Sequence, residues 1–124
     1  MKKINVLRKL KYLLSRKTLI RIYRCYILPV LEYGCEVWDG CSVRDKDRLE
    51  QIQLEAGRVA CGLPSFSSNQ SVYYESGLEP LIQRRERNKL LLFYKMHNGS
   101  VPSYLQNLKP PLLREVTQRE FKIK

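Results

Sequence analysis

Apolar residues recur at helical spacing along most of the chain, most coherently in KTLIRIYRCYILPVLEYGCEVW, residues 17–38. Wound at about 100° per residue, this stretch places Leu19, Tyr23, Tyr26, Ile27, Val30, Tyr33 and Val37 on one broad apolar face. Its charges, Lys17, Arg21, Arg24, Glu32 and Glu36, fall on the remaining strip. A helix apolar over so much of its girth must be covered on several sides, which predicts a central position. Pro29 lacks an amide hydrogen and crowds the preceding turn, so a kink or break is expected there, with Gly34 as a second soft point.

Upstream, residues 4–14 gather Val6, Leu7, Leu10, Leu13 and Leu14 within an arc of about 120°, an amphipathic helix with Arg8, Lys9 and Lys11 off that arc. A membrane-surface helix has the same pattern, but the rest of the chain supplies apolar faces for this one to meet. Downstream, Ser42 and Asp45 resemble a capping box opening a helix over residues 44–60, with Leu49, Ile52, Ala56, Val59 and Ala60 as its stripe. Gly57 inside that helix costs about 1 kcal/mol relative to Ala, and close helix contact is one explanation. VYYESG predicts a short helix capped by Asn69 or Ser71 and stopped by Gly77. A further helix is expected from Pro80 to His97, closed by Asn98 and Gly99, with a last helical turn in PSYLQNL. In the Pro80–His97 helix the apolar residues crowd the second half, while Arg84, Arg85, Arg87 and Lys89 occupy the first. Arg85 and Lys89 share a face with Ile82, Leu92 and Met96. Either this end projects past the bundle, or its arginines meet acidic residues or phosphates.

The elements together predict an all-α fold, an irregular bundle of about four to six helices around a Pro-kinked helix at 17–38. A single helical domain is expected over residues 1–111, with Pro110 and Pro111 ending it and a poorly structured basic tail at 112–124.

Charge adds a direction to this picture. Among 124 residues, 23 Lys and Arg stand against 12 Asp and Glu, a formal net charge of +11. No acidic residue precedes Glu32, whereas Lys2, Lys3, Arg8, Lys9, Lys11, Arg16, Lys17, Arg21 and Arg24 all do. Such segregation favours polyanions, the alternative being a solvated basic face without a partner. Tyr12 beside Lys11, Tyr23 and Tyr26 around Arg24, and Tyr94 beside Lys95 can serve base stacking. Helical spacing explains most of these tyrosines as core or core-edge residues instead.

Catalytic chemistry is not evident. The carboxylates are scattered, the only histidine is His97 near a helix end, and neither a nucleophile elbow nor a phosphate-binding glycine loop occurs. Cys25, Cys35, Cys41 and Cys61 lack metal-ligand spacing and read as buried free thiols of an intracellular protein, in cytoplasm or nucleus. No cofactor or metal is expected. No apolar run approaches the roughly 18–20 residues that span a bilayer, and no secretory signal is recognisable, so no membrane partner is expected.

Three strings in order carry a resemblance: LSRKTLIRIYRCYILPVLEYGCEVWDGC, DRLEQIQLEAGRVACGLP and LEPLIQRRERNKLLLFYKMHNGSVPSYL. They resemble the region following the catalytic palm in LINE-type (non-LTR) retrotransposon reverse transcriptases, over residues 7 to 117. The most specific elements are Tyr23, Pro29, Leu31, Glu32, Tyr33, Gly34, Val37 and Trp38, then Leu49, Gln53 and Arg58, then Tyr94, Lys95 and Gly99. The resemblance implies a helical thumb with its C-terminal extension, which grips template–primer duplex beside the palm. The family's catalytic aspartates belong upstream of the matching region, so the expectation is a non-catalytic fragment of an RNA-directed DNA polymerase. It would bind RNA, RNA–DNA hybrid or DNA through phosphates, without reading sequence. The residues expected to do so are Arg8, Lys9, Lys11, Arg16, Lys17, Arg21 and Arg24, with Arg84, Arg85 and Arg87 second. The alternative is a helical protein-interaction piece, or remnant, that packs on a palm domain and has no independent activity.

Overall fold

The computed structural model describes residues 2–109; the expected tail at 112–124 and its Pro110–Pro111 boundary lie outside them. The described residues form helices without strands, in the order α1 (Lys2–Leu10), α2 (Arg16–Ile22), a π turn (Tyr23–Ile27), α3 (Leu28–Glu32), α4 (Cys35–Trp38), α5 (Val43–Cys61), α6 (Asn69–Ser76), α7 (Leu81–His97) and α8 (Ser103–Gln106). The class is all-α. The chain divides into two compact units, Met1–Asn88 and Lys89–Lys124.

In the first unit the stretch around Pro29 is helical from Arg16 to Glu32 but changes its winding partway. The Leu28 amide donates to the Tyr23 carbonyl, five residues back. This wider turn stands just ahead of Pro29, where the pyrrolidine ring would crowd an ordinary α-turn. It also moves the buried face. Of the expected apolar positions, Leu19, Tyr23 and Ile27 are buried, but Tyr26, Val30, Tyr33 and Val37 are exposed, and Ile20, Leu28, Leu31 and Cys35 are buried in their stead. A π turn takes more residues per turn, so Leu28 and Leu31, which follow it, lag behind a 3.6-residue wheel, whereas Ile20 precedes it and borders the expected face. Gly34, at φ +65°, then turns the chain before α4 begins, a backbone conformation that residues with a Cβ seldom adopt.

The helix α1 is shorter than its pattern predicts. It ends at Leu10, and the Leu13 and Leu14 amides close a turn on the Leu10 carbonyl at 2.9 and 3.1 Å. Ile4 and Leu7 are buried, whereas Leu13 is 78% exposed. The helix α5 opens as expected, Ser42 Oγ accepting from the Asp45 amide at 3.2 Å and donating to Asp45 Oδ2 at 2.8 Å. For α6 the cap is Ser68, not Asn69 or Ser71: its Oγ accepts from the Ser71 amide at 3.2 Å.

The helix α5 touches α1, α2 and α6. Its buried residues, Gln53, Leu54, Ala56, Gly57, Ala60 and Cys61, spread beyond the one stripe that the pattern predicts. The core joins Ile4, Leu7, Leu19, Tyr23, Ile27 and Leu31 to Ala56 and Ala60, with Leu78 and Leu81 closing it. One polar chain crosses it. The Tyr23 hydroxyl donates to Gln53 Oε1 at 2.8 Å, and Gln53 Nε2 donates to the Glu79 carbonyl at 2.6 Å. Beside it, Glu50 accepts from the Tyr73 hydroxyl and, at 2.9 Å, from the Leu81 amide.

In the second unit, Met96 is buried and Phe93 packs on His97 with ring centroids 4.3 Å apart. His97 Nε2 is buried without a hydrogen-bond partner among the described residues. The helix α7 closes at Gly99 with the Ser100 amide donating to the Lys95 carbonyl at 3.0 Å. Leu90, Leu91, Phe93 and Tyr94, read as the apolar half of this helix, are exposed.

A Cβ on Gly57 would lie 2.6 Å from Val72 Cγ1 of α6, and valine is stiff at χ1 in a helix. Gly57→Ala is therefore expected to destabilise. An overpacking cost of about 1–3 kcal/mol exceeds the gain in helix propensity of about 1 kcal/mol. Chemical denaturation measures this, and adding Val72→Ala should recover part of the loss; a stabilised single variant would contradict the close packing.

Burial, more than the neighbouring Glu32 and Glu50 carboxylates, raises the Tyr23 phenol well above its ordinary value of 10.0. The fold thus prefers the neutral phenol. Its contribution is fully present below about pH 10 and declines above it, as the unfolded chain gains a phenolate that the core refuses. Tyr23→Phe should lower stability at pH 7 by about 1–3 kcal/mol, because Gln53 Oε1 loses its donor. It should also weaken the alkaline fall in stability. Denaturation midpoints between pH 7 and 11 test both, and an unchanged alkaline slope would count against Tyr23 as its source.

Candidate nucleic-acid interface

The basic face follows from the packing of α2. With Leu19, Ile20, Tyr23 and Ile27 committed to the core, Lys17, Arg21, Arg24 and Cys25 are left exposed. Ser15 caps α2, its Oγ accepting from the Thr18 amide at 3.4 Å, and the first turn then carries Arg16 and Lys17 with no acidic residue. Cations at a helix N-terminus oppose the macrodipole, so helix stability alone does not favour this placement.

Arg16, Lys17, Arg21 and Arg24 line one open groove of about 520 Å³, with Cys25 and Ile20 in its wall and Glu75 and Ser76 of α6 opposite. Arg16 donates to Glu75 at 2.9 Å and to the Cys61 carbonyl at 3.2 Å, and Arg24 donates to the Gly77 carbonyl at 3.2 Å. Lys17 and Arg21 are exposed and make no ion pair among the described residues. Arg8 pairs with Glu55 and donates to Asn5 Oδ1 at 2.8 Å, while Lys9 is exposed. Lys11 is exposed as well, its Nζ 4.8 Å from the centroid of the Tyr12 ring.

The arginines of α7 do something else. Arg84 forks onto Glu32, one arm at 3.2 Å, and that hydrogen-bonded carboxylate, partly offset by burial, holds its guanidinium above the ordinary value. Arg85 is 3% exposed; it donates to Asp39 at 3.1 Å and lies 5.9 Å from the Trp38 ring centroid. Lys46 approaches the same Asp39 oxygen at 3.5 Å. Arg87, exposed, pairs with Glu79 at 2.8 Å. Of the two readings of this helix end, the arginines meeting acidic residues is what the structure shows.

Two neighbours of the basic face carried no candidate role in the sequence pattern, or an undecided one. Arg58 lines a second groove with Arg8 and Lys11, while its guanidinium pins the 62–68 loop through the Ser67 carbonyl at 3.0 Å and the start of α6 through Asn69 Oδ1 at 3.2 Å. No periodic signal marks a residue whose neighbours come from a loop. Among the tyrosines beside basic positions, Tyr23 is fully buried, whereas Tyr12 is 83% exposed.

Of the four cysteines expected to be buried, only Cys35 and Cys61 are; Cys25 is exposed on the basic face and Cys41 is half-buried in the loop before α5. Burial raises the Cys35 and Cys61 thiols above their ordinary value, which suppresses the reactive thiolate. Among the described residues no three His, Cys, Asp or Glu side chains converge to hold a metal, and no helix is long and apolar enough to cross a membrane. The groove offers multiple cationic donors at an open surface, an arrangement suited to phosphate groups. No protein-family model, no curated protein and no solved structure matches the chain.

Because Arg85 is buried against Asp39, Arg85→Ala should lower stability by about 1–3 kcal/mol and leave the charge of the α2 groove intact. Thermal denaturation and nucleic-acid titration of the same variant separate the two effects. Loss of binding by a variant that remains folded would return Arg85 to the interface.

Proposed function

We propose that this chain is a thumb-like, non-catalytic region of a non-LTR retrotransposon reverse transcriptase, which holds template–primer nucleic acid through its phosphates. The observation that carries the reading is the groove on α2 and the π turn, where Arg16, Lys17, Arg21 and Arg24 converge and Lys17 and Arg21 have no carboxylate partner among the described residues. The resemblance of residues 7 to 117 to the family's post-palm region supplies the identity of the parent enzyme, and the all-helical class agrees with a thumb. The partner is RNA, RNA–DNA hybrid or DNA, bound without regard to sequence, in cytoplasm or nucleus.

A second reading, a helical piece that packs on a palm domain and has no activity alone, is favoured by a different observation. Val30, Tyr33 and Val37 are 51, 86 and 90% exposed, more apolar surface than the fold of these helices requires. Self-association in sedimentation without any nucleic-acid affinity would select it.

Titration with an RNA–DNA hybrid at two salt concentrations tests the first reading. Affinity should fall steeply with salt, and Arg16→Glu, Lys17→Glu and Arg21→Glu together should abolish it in a chain still helical by circular dichroism. Cys25 provides a positional readout, since it is exposed in the groove wall. Bound hybrid should protect Cys25 from alkylation, and a folded triple variant that binds normally would refute the assignment.

A further inference from the structure

The basic face does not stop at the α2 groove. Arg16 lines that groove and also a neighbouring one of about 430 Å³, whose other end is Lys11. Lys11, Val59 and Gly62 are shared in turn with the groove that holds Arg8 and Arg58. Three open grooves therefore run end to end, and of the three only the middle one carries an aromatic ring. The α2 groove holds four cations, and the third holds Arg8, Lys11 and Arg58 beside Glu55. The middle one is lined by Tyr12, Leu14 and Val59, with Lys11 and Arg16 at its margins.

A duplex keeps its bases stacked on one another and offers an exposed aromatic ring nothing to stack on. An unpaired nucleotide presents a flat base between two phosphates, which suits an exposed ring flanked by two cations. Tyr12 adds the stacking surface. It follows the end of α1, is 83% exposed, and carries the Lys11 ammonium 4.8 Å from its ring centroid. Packing gives no reason for an aromatic ring there. Tyr23, by contrast, is spent on the core.

We infer that the middle groove is a base-binding subsite, and that the nucleic acid held along this face is single-stranded where it passes Tyr12. The strand runs from the α2 cations through the Tyr12 groove to Arg8 and Arg58. This inference rests on the proposed phosphate-binding role and specifies which form of nucleic acid it serves.

The test compares a single-stranded oligothymidylate of twelve nucleotides, a blunt duplex and an oligonucleotide of equal phosphate count made largely of abasic sites. Fluorescence anisotropy is measured for each with the wild-type chain, Tyr12→Ala and Tyr12→Phe. The wild type should favour oligothymidylate over the abasic strand. Tyr12→Ala should weaken oligothymidylate binding by about 5- to 150-fold, Tyr12→Phe should retain it, and duplex affinity should be unchanged in both. Because Tyr12 is solvent-exposed, neither variant threatens the fold. Equal affinity for oligothymidylate and abasic strand, or an unaltered Tyr12→Ala, overturns the base subsite while phosphate binding stands. Failure of the wild-type chain to bind any of the three overturns the phosphate-binding reading itself.

Discussion

Much of this structure depends on the contact between Tyr23 and Gln53. A phenol from the π turn meets the one fully buried amide side chain of α5, and the same amide holds the Glu79 carbonyl ahead of α7. A buried polar group without partners would cost about 1–3 kcal/mol, so the chain is satisfied only in one arrangement of these segments. A purely apolar contact would tolerate sliding or rotation of the helix, whereas a directional bond between two buried side chains does not. Fixing Tyr23 inward fixes its neighbours. Arg21, Arg24 and Cys25 must then face out, and the basic groove is the reverse side of that hydrogen bond.

The class of the fold and most helix positions were legible in the sequence because they follow from local chemistry. Ser42 with Asp45, Gly77 and Gly99 mark helix ends through bonds made within a few residues. The buried face of residues 17–38 was not legible past Ile27. A wheel assumes constant winding, and the π turn ahead of Pro29 breaks that assumption without any change in the apolar pattern. Gly57 was legible as the mark of a close helix contact, which Val72 makes, but not which helix makes it. Gln53 was opaque, because its position makes sense only beside Tyr23, which approaches from another segment of the chain.

The candidate interface was legible as charge but not as geometry. Counting cations could not distinguish Arg85, buried on Asp39, from Arg21, which stands free of ion pairs among the described residues. Nor could it rank the tyrosines, since a stacking residue and a core residue can occupy the same helical spacing. Exposure separates Tyr12 from Tyr23. The pattern carried α1 on to Leu14 with Leu13 on its apolar arc, while the chain turns after Leu10 and leaves Leu13 outside with Tyr12.

The ion pairs that remain on the basic face do not argue against its use. Arg8–Glu55 and Arg16–Glu75 join partly exposed side chains, and such pairs contribute only about 0–1 kcal/mol. A phosphate approaching Arg16 can take over its guanidinium at little cost to the fold, whereas burial and the Trp38 ring hold Arg85 in place. Exchange of weak internal carboxylates for phosphates also has an electrostatic consequence. Each freed glutamate, Glu55 or Glu75, would stand beside the phosphates as a repelling charge, limiting affinity at low salt and, because salt screens that repulsion too, moderating the fall of affinity with salt. On the proposed reading, such a face would hold a polyanion through several contacts that are each weak, so that affinity would come from their number rather than from any single pair.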